Sequence, residues 1–247
     1  MDTATILPIP HLHLADNETY NMALAHLVED EAYADWFRMK SSRGDFILMD
    51  NGVVELGYPM ESHEILARAR EIGASEVVLP DYPLDRLRSM ETHRRGLEDL
   101  GGILPLMAVP QGSSCGEWRE SVLELIRWPV NSIGVSRFVV ELFPDRLHAL
   151  CSVPELLDSD KEIHLLGCPG IANEVALIDM HLSGRIRGID SGIAAIYAQE
   201  GIAIDSGEPK PNVELDFTAE VDEDLLKHNV EYWRREICYG YSLRSVL

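Results

Sequence analysis

Asp190 and Asp50 each close a short apolar run and open onto a glycine turn. Gly188-Ile-Asp-Ser-Gly-Ile-Ala-Ala-Ile-Tyr reads as a strand ending on Asp190, a Ser-Gly turn and a helix of small residues. Phe46-Ile-Leu-Met-Asp-Asn-Gly52 presents Asp50 in the same way. A carboxylate at a strand tip beside a helix N-terminus sits where anionic charge is favoured. Two aspartates on two strand tips suit two-carboxylate chemistry at a sugar carbon. Each also has a plainer use, because an Asp after a strand is a favoured N-cap for the helix that follows.

The elements that must hold these residues alternate along the chain. Strand patterns fall at Thr5–Pro8, Phe46–Asp50, Glu76–Pro80, Leu104–Val109, Ser132–Val135, Ile163–Leu166, Ile186–Asp190 and, most faintly, Val213–Phe217. Helical periodicity covers Met22–Leu27 with Tyr33–Met39, then Ser62–Ile72, Leu84–Leu100, Trp118–Arg127, Pro144–Leu157, Asn173–Leu182, Ile193–Gln199 and Glu223–Ile237. Eight βα repeats predict an α/β fold, a single (β/α)8 TIM barrel forming one domain over residues 1–247. An open doubly wound sheet is the competing arrangement, and the eighth strand decides between them. In a barrel the chemistry lies at the C-terminal strand ends. Read in order, those ends carry His11 and His13, Asp50, Asp81, Gln111-Gly112, Ser136-Arg137, Gly167-Cys168 and Asp190-Ser191. For any one of them capping or turn chemistry suffices; a whole polar ring on apolar strands points to a site.

Composition narrows the function classes. At 247 residues, 46% hydrophobic and 26% charged, the chain has the make-up of an ordinary globular enzyme. Its 42 acidic against 21 basic residues give a net charge of -21, which argues against broad nonspecific binding to nucleic acid. The four cysteines lie far apart without a CxxC pair, which predicts a reduced, cytoplasmic protein and no structural zinc. No signal peptide and no membrane-spanning run is expected.

Five ordered segments resemble the queuine/archaeosine tRNA-guanine transglycosylase superfamily. They are Ile47-Leu-Met-Asp-Asn-Gly52, Val77-Val-Leu-Pro-Asp-Tyr-Pro83, Val109-Pro-Gln-Gly112 with Trp118-Arg119, His164-Leu-Leu-Gly-Cys-Pro-Gly170, and Ile189-Asp-Ser-Gly-Ile-Ala-Ala-Ile-Tyr-Ala198. The family's Cys-x-Cys-x-x-Cys zinc cluster and its RNA-binding extension have no counterpart. The chain is therefore more similar to compact phage-type DNA-guanine transglycosylases, which place 7-deazaguanine derivatives in DNA.

That resemblance implies exchange of guanine in DNA for a 7-deazaguanine base, with tRNA as the alternative polymer. Asp190 would be the nucleophile of a covalent sugar intermediate and Asp50 the general acid/base. Asp81 would read the base, with Gln111 at its O6, and the Gly112 and Gly134 amides and Ser136 and Arg137 alongside. Tyr82 or Phe138 would stack on an extruded base. Arg86, Arg88, Arg94, Arg95, Arg137, Arg185 and Arg187 would meet phosphates. The implied partners are DNA and a free 7-deazaguanine base, without a cofactor, a metal or a membrane, and a homodimer stays open.

Two other classes compete. His11-Leu-His13 after the first strand, with His164 and Asp190, resembles the ligand pattern of a metal-dependent amidohydrolase barrel. A binding module without catalysis is the third class, and two acids on strand tips weigh against it.

Overall fold

The computed structural model describes residues 1–168, 173–182 and 184–239, so Pro169 and Gly170 of the His-Leu-Leu-Gly segment lie outside the described residues. Eight strands run parallel: β1 (Asp2–Thr5), β2 (Tyr20–Leu24), β3 (Phe46–Asp50), β4 (Glu76–Val78), β5 (Leu106–Ala108), β6 (Ser132–Ser136), β7 (Glu162–Leu166) and β8 (Ile186–Ser191). Hydrogen bonding follows the order β1-β8-β7-β6-β5-β4-β3-β2, and β1 stands beside β2 to bring the ends together. The expected (β/α)8 barrel is the fold observed.

Helices cross between the strands: α1 (Glu31–Ser42), α2 (Val53–Leu56), α3 (Ser62–Ile72), α4 (Arg86–Leu100), α5 (Cys115–Leu125), α6 (Arg146–Cys151), α7 (Pro154–Leu157), α8 (Asn173–Leu182) and α9 (Ile193–Gln199), with α10 (Glu223–Tyr239) packed on α9. Several begin where the sequence offers a side-chain cap. Asp30, Asp85, Ser114 and Asp145 each accept the backbone N–H three residues on, satisfying a donor that the helix leaves open.

One strand of the predicted eight was misplaced. Val213–Phe217 forms no strand, and the missing strand is Tyr20–Leu24, where the sequence reads as helix from Met22. All five of its residues are buried, so both faces are apolar and the alternation that marks a strand is erased. The first strand also ends at Thr5 rather than beginning there. Pro8 starts a short 3-10 turn over Ile9–Ala15 that carries His11 and His13.

Side-chain alternation divides the core in two. Ile47, Met49, Val77, Ala108, Ile133, Ile163 and Ile189 face the helices. Ala4, Met22, Leu24, Leu48, Val78, Met107 and Val109 fill the barrel. Polar residues join this inner set at both ends. Tyr20, Glu76, Ser132 and Arg187 lie toward the N-terminal ends of their strands, and Asp50 and Asp190 at the C-terminal ends. The inner packing leaves two strand positions without space for a side chain. A Cβ on Gly188 would lie 2.8 Å from the Tyr20 ring, and one on Gly134 would lie 2.7 Å from Leu166.

Candidate active site

A cavity of about 660 Å³ opens at the C-terminal strand ends. Asp50, Asp81 and Asp190 line it with Glu55, Ser136 and Arg137, and Leu24, Val109 and Phe217 supply apolar wall. The sequence thus places five of its eight site candidates, Asp50, Asp81, Ser136, Arg137 and Asp190, around one space.

Asp190, next to last in β8, lies beside Gly167, whose φ of +70° suits a residue without a Cβ. Its Oδ1 accepts the Gly167 N–H at 3.0 Å and faces His164 Nε2 at 3.0 Å. Asp50 ends β3 and turns back on itself, its Oδ2 accepting the Gly52 N–H at 2.9 Å. Gly52 sits at φ +75° and starts α2, which swings Glu55 over the mouth. Enclosure pushes Asp50 up to about 6, and the Asp190 charge adds to the rise. Glu55 is also raised, by partial desolvation and by Asp50.

Asp81 is buried and clamped between two amides. Asn51 Nδ2 donates to its Oδ1 at 2.7 Å and Gln111 Nε2 to its Oδ2 at 2.6 Å. The orientation of both amides is fixed. The Asn51 oxygen accepts the Val53 N–H and the Gln111 oxygen accepts the Leu84 N–H, so their nitrogens must face Asp81. Burial pushes Asp81 up to about 7 against those two donors.

Gln111, Gly112 and Gly134 stand back from the cavity wall. Gln111 is buried behind Asp81, with its amide occupied as described. Gly112 lets the chain pass α5: a Cβ there would be 2.5 Å from the Trp118 nitrogen. Gly134 lies inside β6 against Leu166 and Met107. Ser136 accepts the Phe138 N–H at 3.3 Å and begins a short 3-10 turn.

Most of the arginines expected at phosphates are engaged by the protein itself. Arg86 and Arg94 meet Glu124, Arg95 meets Glu91, and Arg187 meets Glu76 and Glu162. Arg185 bonds backbone carbonyls. Arg88 covers the Tyr82 ring and Arg137 lies over Phe138, so both proposed stacking rings already carry a guanidinium. Arg137 is the member of this set that lines the cavity, together with Lys210. Desolvation and the Arg137 charge hold the Lys210 ammonium below its ordinary range.

Sequence reasoning missed Glu55, His26 and Lys210 as cavity-lining groups, and Tyr20 as a partner of His164. Glu55 had a signal, an acid one helical turn after Asn51-Gly52. Lys210 lies in a Pro-Lys-Pro loop that reads as a linker, and Tyr20 belongs to the strand that looked helical.

No protein-family model matches the chain. No curated protein matches it either. Among solved structures it is similar to the YdjI aldolase from Escherichia coli K12, with a TM-score of 0.57 at 15% identity over 95% of this chain and 87% of that one. A protein from Pseudomonas aeruginosa described as a dihydrodipicolinate synthetase gives 0.48 at 14% identity, over 98% of this chain and 83% of that one. At these identities the likeness is one of fold.

These comparisons correct the expected family. The barrel matched across nearly the whole chain is an aldolase and no transglycosylase model matches, so guanine exchange in DNA, and its tRNA alternative, are withdrawn. The motifs behind that reading have local causes here. Asp50-Asn-Gly52 is a tight turn with Gly52 in the αL region, Ser191 of Asp190-Ser-Gly192 accepts the Ile193 N–H, and the Gln-Gly pair fixes Asp81 and admits α5.

The amidohydrolase reading is corrected as well. His11 accepts the Val221 N–H and lies 3.7 Å from Glu220, while His13 meets Glu223, so the pair ties down the segment leading to α10. His164 faces Tyr20 and Asp190. Among the described residues no three His, Cys, Asp or Glu side chains stand together as a metal-ligand group.

Proposed function

We propose that this chain is an acid–base enzyme of the lyase type that moves a proton next to a carbonyl group of a small anionic molecule. The observation that carries the reading is the unlike setting of two carboxyl groups on one cavity. Asp190 is held as a hydrogen-bond acceptor by His164 on β7 and by the N–H of the Gly167 turn. Asp50 is pushed up to about 6, so it gives up its proton nearer to neutrality than an ordinary carboxyl does. Paired groups whose surroundings differ in this way divide into base and acid.

In this reading Asp190 takes a proton from the carbon beside the carbonyl and Asp50 gives one to the carbonyl oxygen, producing the enol. The same acid and base serve cleavage of a neighbouring carbon–carbon bond when the departing group carries a hydroxyl. Arg137 and Lys210 supply the positive end of the cavity, which is why the substrate is assigned an anionic group. The fold also carries an aldolase in Escherichia coli, which agrees with this class by analogy alone. A cytoplasmic setting belongs to the same reading. Cys115 and Cys151 are free thiols, and no helix among the described residues is long and apolar enough to cross a membrane.

The test is hydrogen–deuterium exchange at carbon, followed by proton NMR in D2O over a panel of keto acids and phosphorylated hydroxy-ketones. Wild-type protein should wash out the signal of at least one compound. Asp50→Asn and Asp190→Asn should each slow that exchange by about 100-fold or more, the range of general acid–base catalysis. Exchange that survives in both variants, or is absent from the whole panel, would refute the proposal.

A further inference from the structure

The interior of the barrel holds a line of polar groups that the proposed chemistry does not yet use. Arg187 Nε lies 3.2 Å from the Tyr20 hydroxyl oxygen, that hydroxyl lies 2.9 Å from His164 Nδ1, and His164 Nε2 lies 3.0 Å from Asp190 Oδ1. Tyr20 and His164 are buried, and Arg187 is mostly so. The line starts on the N-terminal side, where Arg187 also meets Glu76 and Glu162, and ends on the cavity.

The strands are shaped to admit it. The register between β7 and β8 slips beside His164: Ile163 pairs with Ile186, then His164 with Gly188, so Arg187 is an extra residue. Such a bulge breaks the in–out alternation. Ile186 faces the helices, while Arg187 reaches Tyr20 and Glu76 inside. Gly188 leaves the Tyr20 ring its place, since a Cβ there would come within 2.9 Å of two ring carbons. The ring then stacks on His164 at 5.7 Å and on Phe46 at 5.0 Å.

Hydrogen counting gives the line one direction. Arg187 can only donate, so the Tyr20 oxygen accepts from it. Burial holds the phenol well above its ordinary range, so its proton stays on. Among the described residues the partner placed to receive that proton is His164 Nδ1. His164 must then carry its hydrogen on Nε2 and donate it to Asp190. A doubly protonated His164 would turn Nδ1 into a donor toward Tyr20 and strand the phenol hydrogen in the barrel as a buried unmet donor.

We propose that Arg187, Tyr20 and His164 are positioning residues that form a one-way donor chain through the barrel and orient Asp190 as the proton acceptor of the site. The proposal rests on the acid–base reading of the site. Asp190 also faces Asp50 from β3, Glu55 from α2 and Gly167 from the turn after β7, and of these Gly167 alone donates to it. The chain therefore supplies, among the described residues, a side-chain donor that joins the Gly167 N–H in tying back Asp190 Oδ1 and leaves the other oxygen to face the ligand.

The test reads the His164 ring directly. Nitrogen NMR on protein with 15N-labelled histidine, assigned among its nine histidines by the loss of one ring in His164→Gln, reports which nitrogen is protonated. A single Nε2–H tautomer between pH 6 and 8 is expected. Tyr20→Phe should abolish that single tautomer. Because that variant could disturb packing, 3-fluorotyrosine incorporation gives a second perturbation that strengthens the phenol donor and should shift the His164 Nδ1 signal. An Nδ1–H ring or an imidazolium at pH 7, or a Nδ1 signal unmoved by fluorotyrosine, overturns the proposal. The exchange assay separates the two claims: a correct tautomer with no carbon exchange sinks the function and spares the chain, and the reverse sinks only the chain.

Discussion

Replacing Asp50 by Asn should make the protein more stable at neutral pH while disabling it. Burial raises this carboxyl from 3.8 to about 6, so the folded state holds the proton more tightly than the unfolded chain. Between those two values the native state binds more protons than the unfolded state, and stability falls as pH rises. The loss is complete above about pH 6 and absent below about pH 4. A shift of about two units corresponds to about 3 kcal/mol. Asp50 keeps some exposure, so about 2 kcal/mol is the fair expectation. Asn is nearly isosteric, and its oxygen can still accept the Gly52 N–H. Asp50→Asn should therefore match wild type in urea unfolding at pH 4 and exceed it by about 2 kcal/mol at pH 7.5. In a domain of this size that is a rise of about 4–8 °C in Tm. Such a gain is what a site residue kept at a cost to stability predicts. A variant less stable than wild type at pH 7.5, or a gain equal at both pH values, would refute the raised carboxyl and with it the acid role.

Other substitutions probe the frame around the site. Gly188→Ala should destabilise by about 1–3 kcal/mol through the clash with the Tyr20 ring, and much less in a Tyr20→Leu background; equal costs in both would deny the contact. Lys40 is fully buried, 2.8 Å from Asp45, and donates to the carbonyls of Ala15, Asp16 and Glu18. Lys40→Met leaves Asp45 unpaired and should cost about 3–5 kcal/mol in urea unfolding, with a loss below 1 kcal/mol counting against the pairing. His93 is buried, without a partner among the described residues for either ring nitrogen, and burial lowers it to about 3 from 6.5. The unfolded chain takes up that proton first, so wild type loses stability as pH falls below 6.5. His93→Leu should thus gain on wild type by about 1.4 kcal/mol per pH unit from pH 6.5 down to 5; a parallel pair of stability–pH curves would contradict this.

Local chemistry was legible in the chain itself. Ser62–Ile72 and Ile193–Gln199 form helices with the bounds read from sequence, because their apolar spacing and flanking turn residues are encoded within a few positions. The βα alternation and the aspartates at two strand tips came from the same short-range signals, and the cavity gathers both aspartates. Where the signal is not local, the sequence misled. Tyr20–Leu24 is buried on both faces, so no alternation marked it as the strand that sits between β1 and β3. The family resemblance rested on short strand-end motifs that a barrel also produces for turns, caps and clearance. Only closure of the barrel brings Tyr20 to His164 across 144 residues and Arg187 to Tyr20 across 167. Pairings at that separation leave no periodic trace in the chain, since each residue's neighbours in sequence face other layers. Tertiary packing also decided that Gln111 is occupied by Asp81 and Leu84 and that Arg86, Arg94, Arg95 and Arg187 are matched to glutamates. Residue type alone names a donor, and the fold settles which acceptor it meets.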